Sequence, residues 1–381
     1  MSKLLKIGIV GYPTYGGSGV VATELGKALA EKGHEVHFIT YSQPVRLGAM
    51  RKNVRYHEVN VSDYPLFLYP PYELVLASKM VDVVKYEKLD LLHVHYAIPH
   101  ASAAITAKQV LAEEGVYLPV ITTLHGTDIT LLGKDASFEP VISFAINKSD
   151  AVSAVSQSLR LDTYKLFGIN REIEVIPNFI NTEKMEFPMR DEMHRDYAPN
   201  GEKILVHISN FRPVKRVLDV IEVFTRIHAD IPSRLIMVGD GPDRSRAEQM
   251  CREKGLCEEV LFLGNVKNPA EALSVADLFI LPSESESFGL AALEAMACGV
   301  PVISTNTGGL PEVNRHGVTG MMSNVGDVED MAKNARYLLS DDARLTRFRV
   351  KARERATEFS IDKILPQYEA MYNNVIEKAT V

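Results

Sequence analysis

Short, largely apolar runs alternate with longer segments of helical periodicity along the whole chain, and the alternation occurs as two sets whose early members read as uniformly apolar. The first set of runs is 7–10, 36–40, 91–95, 120–124, 151–155 and 174–176. The second is 204–208, 235–238, 260–263, 278–281, 300–304 and 320–322. A strand that alternates polar and apolar residues has one wet face. A run that is apolar throughout is covered on both faces, as in a parallel sheet with helices on either side. Helical stretches at 20–32, 218–230 and 290–298 fall between the runs. Strand–helix–strand order throughout predicts an α/β chain of two Rossmann-like doubly wound domains. Ligands of such sheets bind beyond the strand carboxyl ends, so the expected site is a cleft where the two domains face each other.

With 381 residues, two domains are the natural division. The polar stretch 187–201, with Pro188, Pro199 and Gly201, reads as a linker. The expected domains are 1–180 together with the terminal helix 360–381, and 181–359. In that last helix Ile364, Leu365, Tyr368, Met371, Tyr372 and Val375 share one face. Hydrophobic residues at 46% and charged residues at 24% fit a globular enzyme and exclude a disordered chain. A net charge of -7 argues against nucleic acid as a partner. Cys251, Cys257 and Cys298 have no zinc or disulfide spacing, which suits a reducing compartment. No apolar run is long enough to span a membrane, and the expected address is the cytoplasm. Oligomeric state stays open, a homodimer included.

Four local patterns carry chemistry. The loop Thr14-Tyr15-Gly16-Gly17-Ser18-Gly19 joins the first strand to a helix. Its glycines allow close backbone approach, and the helix start offers free N–H groups to an anion or sugar. Gly17, Gly19 and Ala22 fit a dinucleotide fingerprint only loosely, because no acidic residue ends the second strand at Thr40-Tyr41-Ser42. Asn210-Phe211-Arg212-Pro213-Val214-Lys215-Arg216 puts three cations at a strand tip, as a phosphate clamp would. Ser283-Glu284-Ser285-Glu286-Ser287-Phe288-Gly289-Leu290 leads from a strand into a helix that carries Glu294 among apolar residues. If helical throughout, eight residue steps would separate Glu286 from Glu294 by about 12 Å, suiting two parts of one ligand rather than one atom. Finally, His93, His95, Tyr96 and His125 lie at strand ends. With Asp128 they are a conceivable metal set, but no ligand spacing supports one, and no metal is expected. A nucleophile elbow and a P-loop are both absent.

Together these residues resemble the retaining GT-B glycosyltransferases of family 4 over essentially the whole chain, most specifically from Glu286 to Ile303. Within that family the closer resemblance is to the transferases that join GlcNAc from UDP-GlcNAc to the hydroxyl of L-malate in α linkage, the first step of bacillithiol synthesis. It rests on residues 12–26, 93–100, 123–129 and 209–216. The resemblance implies that Lys215 meets the donor diphosphate, Glu294 the ribose and Glu286 the sugar's 3-hydroxyl, with His125 near that sugar. The backbone of Ser287, Phe288, Gly289 and Leu290 would face phosphate and sugar, and that around Val266 the uracil. Gly17, Ser18 and Gly19 complete the donor side. The family's arginine five residues before the lysine is Asn210 here, and an arginine stands at Arg212 instead. On the acceptor side the resemblance implies Tyr96, and the strand-end positions add Thr14, Gly17, Ser18, His125, Thr127 and Asn178. His125, Lys215 and Glu286 are the expected catalytic residues. No cofactor is expected. No carboxylate stands out as a nucleophile, and the resemblance, rather than any spacing, implies transfer on the front face.

Three rivals stay open on the sequence. One is an NAD(P)-dependent oxidoreductase of two Rossmann domains. Another is a two-domain sugar-binding protein without chemistry. The third is a GT-B enzyme with another outcome, an epimerase or a transferase to a different acceptor.

Overall fold

The computed structural model describes residues 3–48, 52–61, 69–131, 133, 135–182, 190–266 and 268–380. The chain divides into two units, Met1–Asn178 with Ile361–Val381, and Phe179–Ser360.

The first unit holds seven strands: β1 (Lys6–Val10), β2 (Glu35–Thr40), β3 (Val54–Glu58), β4 (Leu91–His95), β5 (Val120–Leu124), β6 (Ala151–Ala154) and β7 (Ile173–Val175). They form one sheet in the order β3-β2-β1-β4-β5-β6-β7, every pairing parallel. The second unit holds β8 (Lys203–Ile208), β9 (Ser233–Val238), β10 (Val260–Gly264), β11 (Leu278–Leu281), β12 (Val302–Thr305) and β13 (Gly320–Ser323). Their order is β10-β9-β8-β11-β12-β13, again all parallel. Both sheets reverse direction of growth beside their first strand. The switch lies between β1 and β4 in one unit and between β8 and β11 in the other, which is where a doubly wound sheet opens a crevice for ligand.

The apolar runs include the central strands: β4 and β11 are buried at every position, with His93 and His95 set among the leucines and valine of β4. β3 was not anticipated. Its sequence Val-Arg-Tyr-His-Glu is a partly exposed edge strand, so it lacks the apolar signature of a covered one. The stretch expected as a linker contains a helix, Arg190–Tyr197, in which His194 Nε2 lies 3.1 Å from Asp277 Oδ2. Its composition is polar enough to read as loop, and the tertiary anchor at Asp277 is invisible in the local sequence. The rest of that stretch up to residue 189 lies outside the described residues.

The helix Val217–His228 shows how the second core is built. Val217, Val220, Ile221, Phe224 and Ile227 recur at three and four residues and are fully buried against Leu205, Leu235 and Met237. In the first unit the terminal helix Ile361–Thr380 buries Tyr368, Met371 and Tyr372. Tyr372 Oη lies 2.7 Å from His93 Nδ1, so the end of the chain is pinned to a central strand of the first sheet.

Candidate active site

In the first unit, the loops after β1 and β4 bring one polar cluster together at the switch. The helix Gly17–Glu31 has Gly16 as N-cap and no side-chain cap, so its first amide groups remain available to a ligand. Gly19 is required there: a Cβ would stand 2.4 Å from Thr14 O and 2.5 Å from Tyr12 O. Tyr96, held at φ 86° just past β4, donates its hydroxyl to Ser18 Oγ at 2.6 Å, and Thr127 lies against the same hydroxyl. The Tyr96 ring is 5.3 Å from that of His125 and 5.3 Å from that of Tyr12. Thr14 and Gly17 are exposed beside this cluster. Asn178 is placed apart from it, buried beyond β7, two strands from β5, with its Oδ1 unpartnered.

Behind the cluster stands a histidine column. His95 Nδ1 is 2.8 Å from His125 Nε2, His100 Nδ1 is 2.6 Å from His95 O, and His93 Nε2 is 2.7 Å from Thr123 Oγ1. Burial drives the imidazoles toward the neutral form. His93 and His125 fall to about 3 and His100 to about 4, and His95 falls well below the usual value, with neighbouring imidazoles adding to the effect on His93, His95 and His125. At neutral pH His125 is therefore a hydrogen-bonding group and a very weak base. Asp128 shows the opposite response: burial raises its carboxyl to about 6 although Ala97 N donates to Oδ2 at 2.6 Å. His93, His95, His125 and Asp128 do not form a metal-ligand group. Among the described residues, the group with such spacing is His37, His57 and Glu87.

In the second unit, the loops after β8 and β11 meet in the same way. Lys215 closes a short 3₁₀ turn, Pro213–Lys215, and its Nζ lies 2.5 Å from Glu286 Oε1. Ser283 Oγ donates to the same oxygen at 2.9 Å, and Glu284 N donates to Val214 O at 2.8 Å, stitching the two loops. A third loop supports Glu286 from below. Gly309 N donates to Glu286 O, and a Cβ on Gly308 would stand 2.0 Å from that oxygen. Of the other cations, Arg216 is engaged by Asp219, with Nε 2.7 Å from Oδ2, while Arg212 and Asn210 are exposed. The helix Leu290–Ala297 begins at Gly289, with φ 95°, and Glu294 is buried in its second turn. Phe288 is buried, whereas Ser287 and Leu290 are half-buried. Val266, also half-buried, follows β10, two strands from β8. His207, hydrogen-bonded to Ile280 O and Ser209 Oγ, is neutral, its pKa lowered to about 4 chiefly by burial.

Of the expected catalytic residues, the structure joins Lys215 to Glu286 in the second unit and places His125 in the first. Ser283, Tyr12 and His100 lie inside segments singled out in the sequence, but the sequence assigns them no role, because each acts through a neighbouring strand or loop. The His37–His57–Glu87 group was not anticipated, because its members lie 20 and 30 residues apart and meet only through strand pairing and a helix end.

Residues 15–184 match the Glycosyltransferase Family 4 domain family, and residues 189–355 match the family of glycosyl transferases group 1. The chain is 50% identical over 376 residues to N-acetyl-alpha-D-glucosaminyl L-malate synthase of Bacillus anthracis, covering 98% of this chain and 97% of that protein. Among solved structures it resembles sucrose-phosphate synthase from Thermosynechococcus elongatus, with a TM-score of 0.81 at 22% identity over 98% of this chain and all of the other. It also resembles Anabaena HepE in complex with UDP and glucose, with a TM-score of 0.81 at 20% identity over 97% and 99% of the two chains. No helix among the described residues is long and apolar enough to cross a membrane. Two parallel sheets with their polar clusters at the switch points, and a relative that matches at both ends of the chain, place this protein among the family-4 glycosyltransferases of GT-B fold, as a hexosyltransferase acting on a sugar nucleotide.

Proposed function

We propose that this enzyme moves GlcNAc from UDP-GlcNAc to the hydroxyl of L-malate with retention, giving GlcNAc-α-malate, the first step of bacillithiol synthesis, without a divalent metal. The observation that carries the reading is the 50% identity, spread over nearly all of both chains, to a protein named for this product.

The second unit takes the donor. When the glycosidic bond breaks, negative charge grows on the leaving diphosphate. Lys215, with Arg212 and the amides of Phe288, Gly289 and Leu290 ahead of a helix, offers compensating positive charge. One cation 4 Å from a phosphate oxygen contributes about 4 kcal/mol at an effective dielectric of 20. Lys215 exchanges Glu286 for phosphate on binding, which frees the Glu286 carboxylate to accept from the sugar hydroxyls. Glu294 accepts from the ribose, and the backbone near Val266 holds the uracil. Ser287 and Asn210 line the donor's path.

The first unit takes the acceptor. Malate has two carboxylates, and the amides of Gly17, Ser18 and Gly19 and the hydroxyls of Thr14, Tyr96 and Thr127 are donors suited to them. Asn178, buried beyond β7 and apart from this cluster, is left out of the acceptor pocket. His125 hydrogen-bonds the substrates in its neutral state. A base with a pKa near 3 removes a hydroxyl proton poorly, so the leaving phosphate oxygen is the better proton acceptor, as front-face transfer requires. The test is incubation with UDP-GlcNAc and a panel of hydroxy acids, sugars and inositol phosphates, with products identified by mass and by the anomeric proton coupling. An α-linked GlcNAc-malate is expected. Transfer only to another acceptor removes the malate reading and keeps the transferase.

A further inference from the structure

The cluster of His37, His57 and Glu87 belongs to neither polar group described above. It sits in the first unit toward the far side of the sheet, away from the loops that follow β1 and β4. His37 is on β2, His57 on the edge strand β3, and Glu87 ends the helix Tyr72–Glu87, just ahead of β4. In the β2–β3 register His57 pairs with Ile39, so the two histidines are diagonal neighbours. One potential ligand atom from each of the three residues lies within 4.8 Å of the others.

The protonation pattern favours a ligand. His37 Nδ1 is 3.0 Å from His57 Nε2. The opposite nitrogen, His37 Nε2, is fully buried, has no hydrogen-bond partner, and has Glu35 Oε1 3.3 Å away. A lone pair facing that carboxylate would be repelled, so the proton of neutral His37 resides on Nε2. Its Nδ1 is then a bare lone pair turned toward His57. A carboxylate behind the far nitrogen is the usual means by which a ligating histidine is oriented. Burial lowers both imidazoles from their usual value, which is in keeping with the neutral form that ligates. Glu35 is compensated by Lys6 at 3.4 Å and Arg55 at 3.8 Å. No described residue forms an ion pair with the Glu87 carboxylate.

We propose that His37, His57 and Glu87 bind one divalent transition-metal ion, which clasps the edge strand β3 and the end of the helix Tyr72–Glu87 onto β2. Two imidazoles and one carboxylate are a donor set for zinc and its neighbours, with water completing the shell. Ligand atoms about 2.1 Å from a tetrahedral ion stand about 3.4 Å apart. The histidine pair therefore opens by a few tenths of an ångström, and the proton on His57 Nε2 passes to Nδ1 through solvent. The ion is structural and takes no part in transfer.

The probe is Zn²⁺, added to chelator-stripped full-length protein carrying Cys257→Ser, which removes the exposed thiol. Competition against a chromophoric chelator should show one equivalent bound. Glu87→Gln and His57→Gln should each weaken uptake at least tenfold, with far-ultraviolet circular dichroism unchanged. Zn²⁺ should raise the Tm of the Cys257→Ser protein and leave that of Glu87→Gln unmoved, a readout that serves even if His57→Gln folds poorly. No equimolar uptake, or uptake undiminished in Glu87→Gln, overturns the proposal.

Discussion

Lys215 and Glu286 neutralise each other in the free protein, so each is held in place before the substrate arrives. A lysine given up by a carboxylate and taken by a diphosphate should matter for donor affinity and, more strongly, for the step in which charge develops. Lys215→Ala should lower kcat by about 10²–10³, the usual effect of removing one donor to a developing anion. It should also weaken UDP binding in calorimetry, and exposed Arg212→Ala should do so less. Unchanged UDP affinity in both variants would take this loop out of the donor site. If Glu294 accepts from the ribose as proposed, the wild type should prefer UDP over its 2′,3′-dideoxy analogue, and Glu294→Gln should erase most of that preference. Equal binding of the two nucleotides by the wild type defeats the assignment. Glu294 could be singled out in the sequence because it is a charge in an otherwise apolar helix. The partner of Lys215 could not, because 71 residues separate it from Glu286.

At the level of elements, β4 and the segments that follow β4 and β5 carry the buried histidines of the first unit's cluster, and the terminal helix is pinned to His93 through Tyr372. Their depressed pKa values make stability depend on pH. Between the folded values of about 3–4 and the unfolded value near 6.5, the unfolded chain binds protons that the native His93, His100 and His125 do not. Stability therefore falls as pH drops below 6.5. Each such histidine contributes up to about 1.4 kcal/mol per pH unit. Asp128, raised to about 6, acts in the opposite sense between its unfolded value and 6, and offsets part of one histidine. Urea unfolding from pH 6.5 to 5.0 should show net uptake of more than one proton. A flat profile would mean that these imidazoles are already protonated or solvated. The two histidines of β4 were evident as an alternating pair on one strand. Their contacts with His125, Thr123 and Tyr372 were not, since strand order and the return of the final helix decide which side chains meet.

For the whole molecule, the reading makes two demands. A pocket built of donors should prefer a dicarboxylate, because losing one carboxylate leaves donors unpaired, at about 1–3 kcal/mol for one that is buried, as Tyr96 is. Malate should exceed lactate by at least about tenfold in kcat/KM, at 1.4 kcal/mol per decade. Tyr96→Phe should raise KM for malate more than for UDP-GlcNAc. Comparable kcat/KM for lactate and malate counts against this acceptor. Turnover measured well below the Tm should survive exhaustive chelation. Activity lost to a chelator and restored by magnesium or manganese would place a metal in the transfer step.

Composition, the paired sets of covered strands and the glycine-rich and cationic loops are local properties, written in runs of a few residues. They determined the fold class, the two sheets and the loops that carry chemistry. An edge strand as polar as β3 and a helix as polar as Arg190–Tyr197 have no such local signature and needed tertiary contacts to form. The pairing of Lys215 with Glu286, the stacking of His95 on His125 and the convergence of His37, His57 and Glu87 were decided only by the tertiary structure. The physical reason is sequence distance. Hydrophobic periodicity says which face of an element is buried, while strand order and register say what that face meets.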